Sequence, residues 1–132
     1  MDAWQLLHAR LICPSMAGGL AMFQPDFVSE TFEPGTETGG SDEGRRALRY
    51  LEWRWTPDGK TDVYVTDMAY LLRDESGATE VVHDRHVMGL FPRAVWLDLI
   101  AATGFEPLAV PFEHGSSSDT GREVFLGLRP GA

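Results

Sequence analysis

Apolar residues recur along this chain in two periods, and the changeovers between them divide it into elements. Trp4, Leu7 and Leu11 fall on one side at helical spacing, widened by Leu6 and Ile12, so residues 2–13 are expected to form a short helix that Pro14 ends. Leu20-Ala21-Met22-Phe23-Gln24 has no polar residue before Gln24. Such a run predicts a strand covered on both faces, in the middle of a layered sheet. From Pro25 to Gly44 only Phe27, Val28 and Phe32 are large and apolar. A long loop is expected there, and in a compact domain such a loop is either functional or a surface excursion.

Three runs then alternate with a period of two. Residues 47–55 set Leu51, Trp53 and Trp55, a core or interface face, against Leu48, Tyr50, Glu52 and Arg54. Residues 62–73 set Val63, Val65, Ala69 and Leu71 against Tyr64, Thr66, Met68, Tyr70 and Leu72, and residues 78–88 set Val81, His83, Arg85 and Val87 against Glu80, Val82, Asp84, His86 and Met88. Turn residues at 56–60 and 74–77 join them into a three-stranded antiparallel meander. From Pro92 to Ala102 the period returns to helical, with Val95, Trp96, Leu99 and Ile100 on one face and Gly104 available to close the helix. Phe105–Phe112 and Glu123–Leu128 read as a final hairpin around the polar connection His114–Arg122. The fold class is α+β and mostly antiparallel, with one principal helix and a short N-terminal one, in a single domain 1–132 without repeats.

Composition narrows this picture. A chain of 132 residues with 43% hydrophobic content supports a core without disulfides or metal. The single cysteine, Cys13, has no internal partner, and its place on the apolar stripe makes it a buried structural thiol; His8 is assigned no role. No secretory signal and no apolar run of about 18 residues is present, so a cytoplasmic location without membrane contact is expected. The formal charge of -9 disfavours nucleic acid, and Arg45, Arg46, Arg49 and Arg54 are interleaved with Asp42, Glu43 and Glu52, as in a solvated mixed-charge segment rather than a phosphate patch.

Candidate chemistry is sparse. There is no G-x-S-x-G and no cysteine with an evident partner, so no catalytic nucleophile is assigned. His83, Asp84 and His86 are adjacent, with Asp67 possible across the sheet, but a strand points His83 and His86 to opposite faces, so no metal site is expected. Asp84, His86 and Met88 share a face to which the neighbouring strand presents Tyr64, Tyr70 or Asp67, depending on register. That face is either a polar pocket wall or a hydrogen-bonded histidine holding the strand end. Gly18-Gly19 precedes a strand, whereas a phosphate cradle needs glycines after one.

Four segments in order, PSMAGGLAMFQPDF (14–27), DRHVMGLF (84–91), AATGFEP (101–107) and GREVFLGLRP (121–130), resemble the C-terminal half of class I S-adenosylmethionine-dependent methyltransferases, and in particular the amino-sugar N,N-dimethyltransferases. The resemblance implies that Leu20–Gln24 is strand five of a Rossmann-like sheet ordered 5/7/6 and that residues 47–88 are an antiparallel insertion covering the acceptor pocket and often building a dimer. It places a small-molecule acceptor beside Pro25, Asp26 and the long loop, with Asp84 and His86 at or near the pocket; Tyr70 joins the candidate site residues from the strand face read above. The family's glycine-rich donor loop and its ribose-binding acid have no counterpart here, so no catalytic or cofactor-binding residue is assigned and S-adenosylmethionine is implied by resemblance only. The expectation is a methyltransferase-like protein, inactive alone, acting as a dimeric binding or accessory module. The alternatives are the acceptor half of a split enzyme, whose donor half is a separate polypeptide, and a small-molecule-binding α+β module. Without strand four, the edge of strand five should be covered by a second copy or another polypeptide.

Overall fold

A computed structural model describes residues 18–112 and 122–131; the helix expected at 2–13, with His8 and Cys13, and nearly all of the 114–122 connection lie outside the described residues. In chain order the elements are β1 (Leu20–Phe23), β2 (Gly35–Glu43), β3 (Arg46–Trp55), β4 (Val63–Arg73), β5 (Thr79–Gly89), α1 (Arg93–Ala102), β6 (Glu106–Pro111) and β7 (Glu123–Leu128). They fall into two units, one of Met1–Thr31 with Phe91–Ala132 and one of Phe32–Leu90.

The first unit holds a three-stranded sheet in the order β1-β7-β6, with both contacts to β7 antiparallel, which is the 5/7/6 arrangement expected. Strand alternation turns Ala21, Phe23, Ala109 and Phe125 to one face, where they meet Trp96, Leu97 and Ile100 of α1 together with Val28 and Phe105. Phe125 is fully buried, and the Trp96 ring stacks on it at 5.5 Å. Helix α1 follows Pro92, whose ring tolerates a helix start, and the Glu30 carboxylate accepts the Arg93 backbone N–H at 3.0 Å. An acid from a distant loop thus supplies a first-turn partner where no side-chain cap exists. The helix ends as expected: Gly104 adopts φ +85°, its N–H reaches the Ala101 carbonyl, and Phe105 N–H reaches that of Ile100. This is a Schellman closure, and the Ile100–Phe105 contact that accompanies it lies in the core.

Two expectations for this unit need correction. The apolar side of α1 is centred on Trp96, Leu97 and Ile100, while Val95 is 36% exposed, because the sheet meets the helix one residue further round. Strand β1 is not covered on both faces: Leu20 and Met22 are 59% and 65% exposed. Apolar composition shows that a strand can be covered but not what covers it, and the described residues supply only the α1 side.

The second unit is a four-stranded antiparallel sheet, β2-β3-β4-β5. The meander strands form where expected, but the supposed loop from Pro25 to Gly44 contains β2, a nine-residue strand paired with β3 from Gly35↔Arg54 to Glu43↔Arg46. An edge strand needs only main-chain bonds along one side, so residues such as Gly39, Gly40 and Ser41 fit it without leaving an apolar alternation. Side chains add exposed ties, Arg54 to Glu37 at 2.7 Å and Arg49 to both Asp42 oxygens at 3.0 Å. The face carrying Leu51 and Trp53 is largely open, with these residues 44% and 52% exposed, so neither is packed into a core among the described residues. On the other face Tyr64 is buried and its ring lies 4.9 Å from that of Phe32.

Candidate functional site

The β4–β5 register decides which polar groups meet. It sets Thr66 opposite His86, Met68 opposite Asp84 and Tyr70 opposite Val82, so Tyr70, Asp84 and His86 occupy one face. His86 Nε2 lies 2.9 Å from Asp84 Oδ2, and both side chains are about half exposed. Asp84 Oδ1 accepts the Arg85 backbone N–H at 2.9 Å, fixing the carboxylate. When Nε2 carries the proton donated to Asp84, Nδ1 of the neutral ring is the free acceptor. The arrangement is an open, oriented polar wall with Tyr70 one residue pair away.

Pro25 and Asp26 belong to the other unit. Pro25 is half-buried, and Asp26 lies 3.9 Å from Arg122 in an exposed ion pair. His83 and His86 do point to opposite faces, each with its own aspartate.

Asp67 belongs with His83, not with Asp84 and His86. The register pairs it with Arg85, and it is 8% exposed on the opposite face of the sheet. Its Oδ1 accepts from Arg85 Nε at 2.7 Å and faces His83 Nε2 at 2.8 Å; its Oδ2 accepts from Trp55 Nε1 at 2.9 Å and Arg85 Nη2 at 3.1 Å. The forked arginine contact fits a carboxylate plane, and the same guanidinium lies 5.8 Å from the Trp55 ring centroid. Hydrogen bonds from Arg85 first, then Trp55 and His83, hold the Asp67 carboxyl well below the usual carboxylate range. The sequence signal for this cluster is an acid in a strand row otherwise made of Val63, Val65, Ala69 and Leu71.

Because the folded value lies below the unfolded one, the stability from Asp67 is fully present above the ordinary carboxylate range and is lost as pH falls below about 4. An Asp67→Asn variant should therefore be less stable than the parent at neutral pH and show a shallower acid dependence below about pH 4. Denaturation midpoints measured across that range test this, and parallel curves for the two proteins would refute it.

Among the described residues, no group of three His, Cys, Asp or Glu side chains is placed to hold a metal ion, and no helix is long and apolar enough to cross a membrane. An open groove of about 580 Å³ lies at the hairpin end of the second unit, between residues such as Glu43, Arg46, Leu48, Leu72 and Glu80, and none of the expected site residues lines it.

No family model matches the sequence, and no curated protein matches it. Solved structures do match. The chain shares the fold of about half of a sugar N-methyltransferase: KedS8 of a Streptoalloteichus species superposes with a TM-score of 0.75 at 22% identity, over 96% of this chain and 48% of its own. DesVI of Streptomyces venezuelae gives 0.79 at 17% identity, over 96% of this chain and 50% of its own. CalS10 of Micromonospora echinaspora, an amino pentose methyltransferase involved in calicheamicin biosynthesis and solved with S-adenosylmethionine bound, gives 0.71 at 22% identity, over 98% and 52%. The chain thus spans about half the length of the structures it matches, and the resemblance read from its four motifs is borne out at the level of fold.

Proposed function

We propose that this chain is a methyltransferase-like binding or accessory module that presents an acceptor-facing wall, holds no S-adenosylmethionine by itself and transfers no methyl group as an isolated chain. The observation that carries this reading is that nearly all of the chain is accounted for by about half of each sugar N-methyltransferase, while no glycine-rich donor loop occurs in its sequence. Methyl transfer depends on holding donor and acceptor in line, a contribution of roughly 7–11 kcal/mol, so a module without a donor site has little catalytic power alone. Tyr70, Asp84 and His86, on one face of the second unit, are assigned to the acceptor side, and the acceptor is a small polar molecule of the amino-sugar type. The cellular setting that fits is the cytoplasm.

A homodimer belongs to the same reading. The second unit exposes Leu51, Trp53, Leu71, Val81 and Val87 on one face of its sheet. The two acids in those strand rows, Asp42 and Asp67, are both paired with arginines. In a chain of net charge -9, a face without an unpaired acid is where two copies approach with little repulsion.

Calorimetric titration with S-adenosylmethionine tests the central claim: no heat of binding is expected, and micromolar affinity of the chain alone would sink it. Sedimentation in the same buffer should return a dimer that Trp53→Lys dissociates, and a monomeric parent would remove the dimer from the reading. The second reading, the acceptor half of a split methyltransferase, is favoured by β1 pairing with β7 alone among the described residues.

A further inference from the structure

The second unit lies wholly within the described residues, and the sheet face that carries the polar wall continues beyond it. Along β4 this face presents Thr66, Met68, Tyr70 and Leu72 in turn. The register sets Thr66 beside His86 and Met68 beside Asp84, so the polar wall comes first. Tyr50 and Tyr70 then stand opposite each other, and the next pair on the face is Leu48 and Leu72. These two leucines are half-buried and lie along the groove of about 580 Å³ at the hairpin end. That volume falls within the range of about 300–1,000 Å³ usual for small-molecule sites.

Charge decides what the groove can hold. Arg46 and Arg73 line it together with Glu43, Asp74 and Glu80. Arg46 lies 3.5 Å from Glu75, and Arg73 alternates with Leu72 to the opposite side of its strand. Glu43 and Glu80, on the two outer strands, have no cationic partner among the described residues. In a chain of net charge -9 such a rim repels phosphate, while the leucines favour an apolar group. From Met68, the partner of Asp84, to Leu72 is four residues, roughly 13 Å of strand. A molecule that touches both the polar wall and the groove is therefore longer than one sugar ring.

We propose that the groove along Leu48 and Leu72 holds the apolar aglycone of an acceptor whose amino sugar lies against Tyr70, Asp84 and His86, so that the acceptor is a finished amino-sugar glycoside and not a nucleotide-activated sugar. The inference rests on the acceptor-side reading above and adds to it the group that the sugar is bonded to. A diphosphate carrier would bring its negative charges toward Glu43 and Glu80. An apolar aglycone brings none and gains by leaving water. Glycosyl transfer to an apolar alcohol or phenol is the class of reaction that supplies such a molecule.

The test titrates the full chain by calorimetry with three probes that share one amino sugar: methyl β-D-glucosaminide, hexyl β-D-glucosaminide and UDP-glucosamine. The hexyl probe should bind about tenfold more tightly than the methyl probe, and the nucleotide no more tightly than the methyl probe. Leu72→Gln should erase the hexyl advantage and leave methyl binding unchanged. Glu43 and Glu80 are exposed, so a Glu43→Lys and Glu80→Lys double variant tests the charge argument without disturbing the fold. It should raise nucleotide affinity about fivefold at low salt and leave methyl binding unchanged. Equal binding of the hexyl and methyl probes overturns the proposal. So does a hexyl advantage that survives Leu72→Gln, a nucleotide preferred by the parent, or a nucleotide affinity indifferent to the double variant. In each of these cases Asp84→Asn still weakens methyl binding, and the acceptor-side reading stands. Methyl binding that ignores Asp84→Asn, or no binding of any probe, removes that reading and the proposal with it.

Discussion

Truncation of Phe125 to alanine is expected to lower stability by about 3–5 kcal/mol, the range for removing an aromatic side chain from a packed core. Phe125 is the one fully buried large side chain among the described residues, and it sits on β7, the strand that pairs with both β1 and β6. Its ring is sandwiched into the layer formed by Phe23, Val28, Ile100 and Phe105, with Trp96 stacked on it. Small domains have only about 5–15 kcal/mol in total, so the loss should leave the first unit close to its threshold. Denaturant unfolding followed by amide exchange in β7 measures it, with Leu128→Ala on the exposed face as the reference. Equal losses for the two variants would mean that the core does not lie between α1 and this sheet.

Legibility in the sequence followed the physics that generates each signal. The meander strands were readable because alternating residues face different surroundings, and α1 because Gly104 and the helical period agree on where it ends. The sheet order β1-β7-β6 followed from resemblance, since nothing local in β6 or β7 says which neighbour each takes. Strand β2 was hidden because an exposed edge buries too little to impose an apolar pattern, and its pairing is written in the main chain. The Asp67 cluster was only half visible. An acid among Val65, Ala69 and Leu71 was evident, but which partners it met depended on a register that also separates it from Asp84 and His86. A shift of one residue would have exchanged the two clusters, because each such shift turns every side chain to the other face.

The exposure of β1 came from the same limit. Its apolar run is the residue pattern of a strand covered on both faces, and the described residues cover one.

Gly127→Val is expected to cost about 1–3 kcal/mol by overpacking, the second large effect in this unit. A Cβ at Gly127 would come within 3.0 Å of Ile100 Cγ2 and 3.1 Å of Phe105 Cβ, closer than packed carbons sit, so α1 and the Phe105 turn must move away from β7. Branched γ-carbons would add to the displacement. The partner across the contact supplies the decisive comparison: in an Ile100→Ala background the first of those clashes disappears, and the Gly127→Val penalty should shrink measurably in a double-mutant cycle. Additive losses would show that the glycine acts through β7 pairing with Ala21 and Pro107 and not through the close approach of helix to sheet. A coupled result would tie the Schellman closure of α1 to the one strand that both β1 and β6 depend on, which is how a short helix can hold this part of the sheet in register.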